Sequence, residues 1–366
     1  MGQRILIVAD SALELLMSIQ VKLSLYREIP STLIMTDRTA GAYGVYKRLA
    51  ALNVFEKVIY VEATKFPELK VFNRLPGRIR RRFYDKVCIL KAREILKEPD
   101  TYTTFLTSEI DFFSRYMYLA VKKTADPYLI GEGIFTFGGL KENIARQMIG
   151  SSGEFLTDLK GVLYYGPQFG EFPLPKATRI PSVNENRKEL VDILNEIYGY
   201  EPHSVIYQNK IIVFEESYAN DGGSDNLTGF LGKLVKKFGN ENVLVKRHPR
   251  DRENRFADMQ IASVEPFHLP WELFVLNGDC RDCVLLSANS GSVYLCQLWD
   301  FCKEEVRCIM LNHLLEYKYT GGAVLDRYYT FLEELYRKEN ICSPKTEEEL
   351  FSCIENAIEG WETSHE

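Results

Sequence analysis

The apolar and polar positions of this chain alternate between short continuous hydrophobic runs and longer segments with helical spacing. In the first half, the runs that predict β-strands cover residues 4–9, 31–35, 57–61, 103–107 and 127–130. The run at residues 4–9 shows no alternation, as expected for a parallel sheet covered on both sides. Helical spacing follows the first strand, and the segments 42–51 and 111–122 show it again. Strand and helix in alternation predict an α/β domain.

A second α/β series follows a proline-rich stretch. Prolines 167, 173, 175 and 181 indicate an interdomain linker over residues 166–181. Beyond it, strands are predicted at 210–215, 243–245, 259–263, 283–286 and 307–311, and helices at 227–238, 270–276, 324–337 and 346–358. We therefore expect Rossmann-like domains over 1–170 and 182–340. The closing segment 341–366 packs either within the second domain or back on the first.

Composition narrows the class of protein. The chain has 366 residues and a formal net charge of -6, which argues against a nucleic-acid partner. Of its eight cysteines, only Cys280 and Cys283 have C-x-x-C spacing, and no second pair completes a zinc site. The others are predicted to be buried thiols in a reducing compartment. No signal peptide and no membrane-spanning run is recognised, so the predicted location is cytoplasmic.

Three turns that follow predicted strands carry candidate chemistry. Glu132 lies between Gly131 and Gly133, His248 precedes Pro249 after a strand, and a serine-rich turn covers 287–292. Ligands bind at the carboxyl ends of strands in open α/β sheets, and free N–H groups at a helix start bind anions. Each turn also has an ordinary explanation: a tight turn with an incidental glutamate, a surface histidine, or a serine N-cap.

Two further stretches bear on ligands. The first strand runs into Asp10 and Ser11 without a G-x-G-x-x-G, so a dinucleotide site is not predicted there. Ser11 and Glu14 form a capping-box pattern. Residues 65–86 cluster arginines with aromatic residues. That stretch fits a solvated helix face, contact with an anionic membrane surface, or contact with an anionic glycan.

The order of these motifs is more specific than any one of them. Residues 131–136, Lys246 to Pro249, a Pro-Trp-Glu at 270–272 and the serine-rich turn resemble the motifs of bacterial sialyltransferases of the GT-B architecture. These are glycosyltransferase family 52 and the related polysialyltransferases. Residues 15–19 are similar to the first helix of that family. The resemblance implies two Rossmann-like domains facing across a cleft. In this chain Gly131 stands where the family usually has a second acidic residue.

The resemblance also implies a reaction. It is an inverting, metal-independent transfer of sialic acid from CMP-sialic acid to a hydroxyl of a lipooligosaccharide or capsule glycan, with no cofactor beyond the donor. Glu132 would be the general base and His248 would assist the leaving phosphate. The residues implied in donor binding are Lys246, Pro249, Glu272, Ser287, Asn289, Ser290, Gly291 and Ser292. Those assigned to acceptor or membrane contact are Asp10, Ser11, Arg78, Arg81 and Arg82.

Other functions stay open at this point. The chain also resembles glycerophosphotransferases with a CMP or CDP leaving group. Those enzymes usually carry a second histidine motif, and the residues after His268 do not form it. A degenerate GT-B protein that binds glycans without catalysis is the second alternative, supported by Gly131. The partners expected for the transferase are a CMP-sugar, a glycan acceptor and peripheral contact with the cytoplasmic membrane face. Whether it is a homodimer is left open.

Overall fold

A computed structural model of the chain describes residues 2–38, 41–66, 77–108, 111–131, 153–164, 177–216, 224–249, 254–288, 306–318 and 342–364. The chain divides into two compact units, Met1–Pro181 and Ser182–Glu366. Within the described ranges, no helix combines the length and the apolar character needed to cross a bilayer.

The first unit is built on a parallel sheet. Its strands, in chain order, are β1 Ile5–Ala9, β2 Ser31–Thr36, β3 Lys57–Val61, β4 Thr104–Thr107, β5 Asp126–Gly131, β6 Gly161–Tyr164 and β7 Ala177–Arg179. They lie in the order β3-β2-β1-β4-β5-β6-β7, and every pairing is parallel. The chain builds outward from β1 to β3 and then returns to β4, so the topological switch point lies between β1 and β4.

The helices of this unit connect the strands. They are α1 Ala12–Ser24, α2 Ala42–Ala51, α3 Gly77–Leu96, α4 Phe112–Val121 and α5 Gly153–Asp158. The Ser11 hydroxyl accepts the Glu14 N–H and begins α1, and Asp111 and Ser114 form a capping box that begins α4. Both caps follow strand ends. Polar caps and strand ends therefore share one edge of the sheet.

Part of this unit was not predicted from the sequence. The strands β6 and β7 and the helix α5 are additional, and β7 lies inside the stretch assigned to the linker. The strand β7 has only three residues, all at least partly exposed, so it carries no apolar run. These residues form a strand because they pair with β6, although their own side chains show no strand pattern.

Within its described ranges, the second unit has a five-stranded parallel sheet and two short strand pairs. Its strands are β8 Tyr207–Gln208, β9 Ile211–Phe214, β10 Ser224–Asp225, β11 Val243–Lys246, β12 Ala262–Ser263, β13 Cys280–Arg281, β14 Cys283–Ser287, β15 Val306–Met310 and β16 Tyr317–Lys318. The main sheet has the order β12-β11-β9-β14-β15. The strand predicted at 259–263 shrinks to β12, because Ala257–Met259 forms a 3-10 turn.

Four helices are described in the second unit. They are α6 Arg187–Tyr198, α7 Leu227–Phe238, α8 Trp271–Leu276 and α9 Glu347–Ser364. The helix predicted at 324–337 lies outside the described residues. Leu350 and Ile354 of α9 are fully buried in the same apolar core as Leu286 and Ile309 of the sheet. The closing helix, whose packing the sequence left open, therefore contributes to the second core.

Candidate functional site

The carboxyl edge of the second sheet collects the charged and polar residues that follow its strands. The chain runs from β9 to β11 and later returns to β14 on the other side of β9, so the switch point lies between β9 and β14. Glu215 and Glu216 follow β9, His248 follows β11, and Ser287 ends β14. In open α/β sheets a ligand binds at this kind of crevice.

Glu215 fixes the backbone at His248. Its buried carboxylate accepts the His248 N–H at 3.1 Å and the Arg255 Nε–H at 2.7 Å. The other two Arg255 nitrogens donate to Asp225 at 2.8 and 3.0 Å. The Glu215 N–H also donates to the Lys246 carbonyl at 3.0 Å, which extends the pairing of β9 with β11. The turn that presents the histidine is thus held by a buried, charge-assisted network.

His248 and Ser287 differ in their access to solvent. His248 and Pro249 are half-buried at the strand end. The Ser287 hydroxyl is fully buried and donates to Glu216 Oε1 at 2.9 Å. Ser287 therefore ties the end of β14 to the loop after β9, across the switch point.

Two residues assigned to direct donor contact lie in the interior. Lys246 is 5 % exposed, and its ammonium donates to the Phe267 carbonyl at 2.7 Å. Burial lowers the pKa of Lys246 to about 8, although the Glu272 carboxylate partly opposes this shift. Glu272, in the first turn of α8, is 3 % exposed. Both charged side chains are thus buried in the described structure, and their contact with the donor stays a prediction.

Other predicted site residues cannot be placed by their side chains. Glu132 lies outside the described residues, directly after the last residue of β5. Also outside them are Asn289, Ser290, Gly291 and Ser292, so the convergence of these serines with His248 stays a prediction. Arg78, Arg81 and Arg82 belong to α3, whose backbone is described at those positions while their side chains are not.

The carboxyl edge of the first sheet has its own polar cluster. Asp10 follows β1, and its side chain is 6 % exposed. Arg38, after β2, pairs through one nitrogen with Asp10 at 3.1 Å and through the other with Asp111, the N-cap of α4. Because Asp10 and Asp111 follow β1 and β4, the cluster lies at the switch point of this sheet.

Ser11 and Glu14 hold the start of this cluster in place. The Ser11 hydroxyl accepts the Glu14 N–H at 3.1 Å, and Glu14 Oε2 accepts the Asp10 N–H at 2.6 Å. The predicted capping box thus forms with its glutamate on Asp10 rather than on Ser11. Ser11, assigned to acceptor or membrane contact, acts in the described structure as a helix cap.

Sequence reasoning missed four residues of these two edges: Arg38, Asp111, Glu215 and Arg255. Arg38 follows a predicted strand, Glu215 ends one and Asp111 begins a predicted helix, which was the available signal. Arg255 lies in a loop with no such signal, because its partners Glu215 and Asp225 are distant in sequence.

Comparisons with known proteins give the fold. No family model matches the chain, and no curated protein matches it. Among solved structures, Arabidopsis thaliana UGT89C1 complexed with UDP superposes with a TM-score of 0.52 at 11% identity, covering 98% of this chain and 90% of that one. UDP-N-acetylglucosamine 2-epimerase from Rickettsia bellii gives 0.47 at 11% identity, covering 81% and 78%. Acinetobacter baumannii MurG gives 0.44 at 10% identity, covering 91% and 83%. The first of these confirms the predicted fold class, α/β of the GT-B type with two Rossmann-like domains.

Proposed function

We propose that the chain is a GT-B glycosyltransferase that takes its sugar from a nucleotide donor, and more specifically an inverting, metal-independent sialyltransferase. The observation that carries the proposal is the His248 turn. A half-buried imidazole stands at the carboxyl edge of the second sheet, and the buried Glu215 fixes its backbone. A GT-B fold with such a histidine beside a switch point suits the capture of a nucleotide phosphate.

In the proposed reaction the acceptor hydroxyl attacks the anomeric carbon of the donor sugar. The new glycosidic bond forms as the bond from that carbon to the phosphate oxygen breaks, and CMP leaves with the bonding electrons. His248 would donate a hydrogen bond or its proton to the departing phosphate. The N–H groups and hydroxyls of Ser290 and Ser292 would hold the same phosphate.

The hydroxyl proton needs an acceptor on the opposite face of the sugar. Glu132 follows β5 on the first sheet and is our choice for this general base. Asp10 is the second choice, since it lies at the switch point of that sheet. Arg38 already occupies one of its carboxylate oxygens, which makes Asp10 the less available proton acceptor.

The two units then have separate roles in the proposal. Residues 1–170 would bind the acceptor, a lipooligosaccharide or capsule glycan, and residues 182–340 would bind the CMP-sugar. The expected setting is the cytoplasm, at its membrane face. Ser287 and Pro249 would shape the donor site, with Lys246 and Glu272 supporting it from inside.

A second candidate function is transfer from a UDP-sugar. It is favoured by the structure of Arabidopsis thaliana UGT89C1, which is a complex with UDP. A CDP-dependent glycerophosphotransferase would use the same edge of the second sheet. These alternatives differ from the sialyltransferase in the leaving nucleotide, so the donor itself separates them.

The decisive experiment is a donor panel with two variants. CMP-sialic acid, CDP-glycerol and UDP-glucose are each incubated with the purified chain, with and without a sialylated oligosaccharide, and nucleotide release is measured. We expect release from CMP-sialic acid. Glu132→Gln should slow transfer by about 10²–10⁴-fold, as loss of a general base does, and leave CMP affinity in calorimetry nearly unchanged. His248→Ala should weaken both transfer and CMP binding.

Each outcome is informative. Release from UDP-glucose or CDP-glycerol in place of CMP-sialic acid would reject the sialyltransferase and identify the donor. If Glu132→Gln transfers at the wild-type rate, Asp10 becomes the candidate general base. Asp10→Asn should then show the loss of transfer rate. Binding of CMP without turnover of any donor would favour the degenerate glycan-binding alternative.

A further inference from the structure

The outward face of α3 carries aliphatic side chains between lysines. Leu90 is 66 % exposed and Val87 is 39 % exposed. Lys86 and Lys91, next to them on the same face, are exposed as well. Of the seven large apolar side chains exposed within the described ranges, Val87, Leu90 and Phe112 belong to the helix pair α3 and α4. Such clustering sets this face apart from the single exposed apolar residues that any surface has.

The opposite face of α3 is fixed in the protein, so this face cannot turn inward. Cys88, Ala92 and Leu96 on the inner side are fully buried. Asp85 accepts hydrogen bonds from the Tyr116 hydroxyl and from Arg115 of α4, the latter at 3.3 Å. The Phe112 ring lies 5.7 Å from the Tyr84 ring, which extends the apolar surface from α4 to the start of the outward face.

The sequence continues the same line toward the beginning of the helix. Positions 79, 83, 87 and 90, all apolar, recur at intervals of four, four and three residues within Gly77–Leu96. That spacing keeps positions on one side of an α-helix, where the turn is about 3.6 residues. The same segment carries arginines at positions 78, 80, 81 and 82. Among the side chains that the structure describes, the stripe consists of Val87 and Leu90 with Lys86 and Lys91 at its edges, and the exposed Glu94 lies one turn beyond Leu90.

We propose that this face of α3 binds an anionic lipid surface. The stripe, defined by positions 79, 83, 87 and 90, would enter the boundary between headgroups and acyl chains, and the flanking lysines and arginines would contact lipid phosphates. The basic stretch fits either an anionic membrane surface or an anionic glycan, and the exposed Leu90 favours the membrane surface. A polar anionic glycan would gain nothing from Leu90, whereas a lipid surface removes it from water.

This proposal is independent of the transferase, because binding to lipid requires no donor, acceptor or turnover. It gives the chain a way to meet an acceptor that is itself held at a membrane. The basic residues that the proposal rests on are Lys86 and Lys91, whose exposure is described.

The test is sedimentation of the full chain with vesicles. Vesicles of phosphatidylcholine alone are compared with vesicles that contain phosphatidylglycerol, at low and at high salt. The wild type should bind the anionic vesicles and lose binding as salt rises. Leu90→Ser should lower the partition coefficient about tenfold through the lost apolar transfer. Lys86→Glu with Lys91→Glu should lower it by about thirtyfold or more, since each basic residue near the surface contributes about fivefold.

Two control variants lie elsewhere on the surface. Ile206→Ser removes an apolar side chain that is 50 % exposed in the second unit, and Lys236→Glu reverses an exposed lysine on α7. Both should bind vesicles like the wild type. All variants change exposed positions and should keep the wild-type melting temperature.

Three results would overturn the proposal. The first is absence of wild-type binding to anionic vesicles at low salt. The second is an equal loss of binding in the stripe variants and in the control variants. The third is self-association in light scattering that Leu90→Ser abolishes, without any effect of that change on vesicle binding, which would make the stripe a contact between two copies of this chain.

Discussion

The Glu215 carboxylate offers the sharpest test of how the donor edge is held together. Its side chain is 1 % exposed, and its hydrogen-bond donors include the His248 N–H and the Arg255 Nε–H. In Glu215→Gln the amide offers one oxygen and one NH₂ group, so one donor must face another donor. The change keeps the shape and removes one charge-assisted hydrogen bond.

The size of the effect follows from these contacts. A hydrogen bond to a charged group contributes about 1.5–3 kcal/mol, and a buried donor left without an acceptor costs about 1–3 kcal/mol. Arg255 keeps its two bonds to Asp225 and is one-third exposed, which limits the loss. We expect the second unit to lose about 2–3 kcal/mol in urea unfolding. CMP affinity should fall about tenfold as the His248 turn loosens, which corresponds to about 1.4 kcal/mol.

The adjacent residue supplies the matched control. Glu216 is half-buried and accepts a hydrogen bond from the Ser287 hydroxyl. Glu216→Gln still offers an amide oxygen to that hydroxyl, so its unfolding free energy should stay within about 0.5 kcal/mol of the wild type. Equal stability of the two variants, or an unchanged CMP dissociation constant in Glu215→Gln, would refute the role we give to Glu215.

Two further predictions concern buried charges of the second unit. The pKa of Lys246 is lowered from 10.5 to about 8 in the folded chain. The unfolded state therefore binds more protons between these pH values, and the free energy of unfolding rises with pH there by about 3 kcal/mol in total. In urea unfolding compared at pH 7.5 and 10, Lys246→Met should lack this rise. The fully buried Asp279 accepts from the Tyr200 hydroxyl at 2.6 Å, the His203 N–H at 3.2 Å and His203 Nδ1 at 2.6 Å. Asp279→Asn should therefore cost about 2–4 kcal/mol in the same assay, and a cost below about 1 kcal/mol would show that this network is not anchored by the carboxylate.

The sequence by itself determined most of the architecture. Continuous apolar runs at β1, β2, β9, β11 and β14 identified strands of buried parallel sheets, because such strands must be apolar on both faces. Helix starts were equally readable where a short polar side chain stood before a periodic segment, as at Ser11. These features depend on residues that are neighbours in the sequence, so they can be recognised without the tertiary structure.

Elements without a local pattern were missed or misplaced. The three residues of β7 were taken for a linker, since their order comes from pairing with β6 rather than from their own side chains. Of the strand predicted over 259–263, only the two residues of β12 form, because residue 259 ends a 3-10 turn that begins at Ala257. In both places tertiary contacts decided a segment whose own preference is weak.

The site shows the same division. The sequence located His248 at a strand end, because a strand that stops at His-Pro has a readable signal. Only the tertiary structure brought Glu215 under the His248 N–H and joined Arg38 to Asp10 and Asp111. Only the fold could show that Lys246 is buried on the Phe267 carbonyl. Hydrogen bonds and ion pairs join residues that are distant in the chain, and desolvation depends on everything packed around a charge, so neither can be read from spacing.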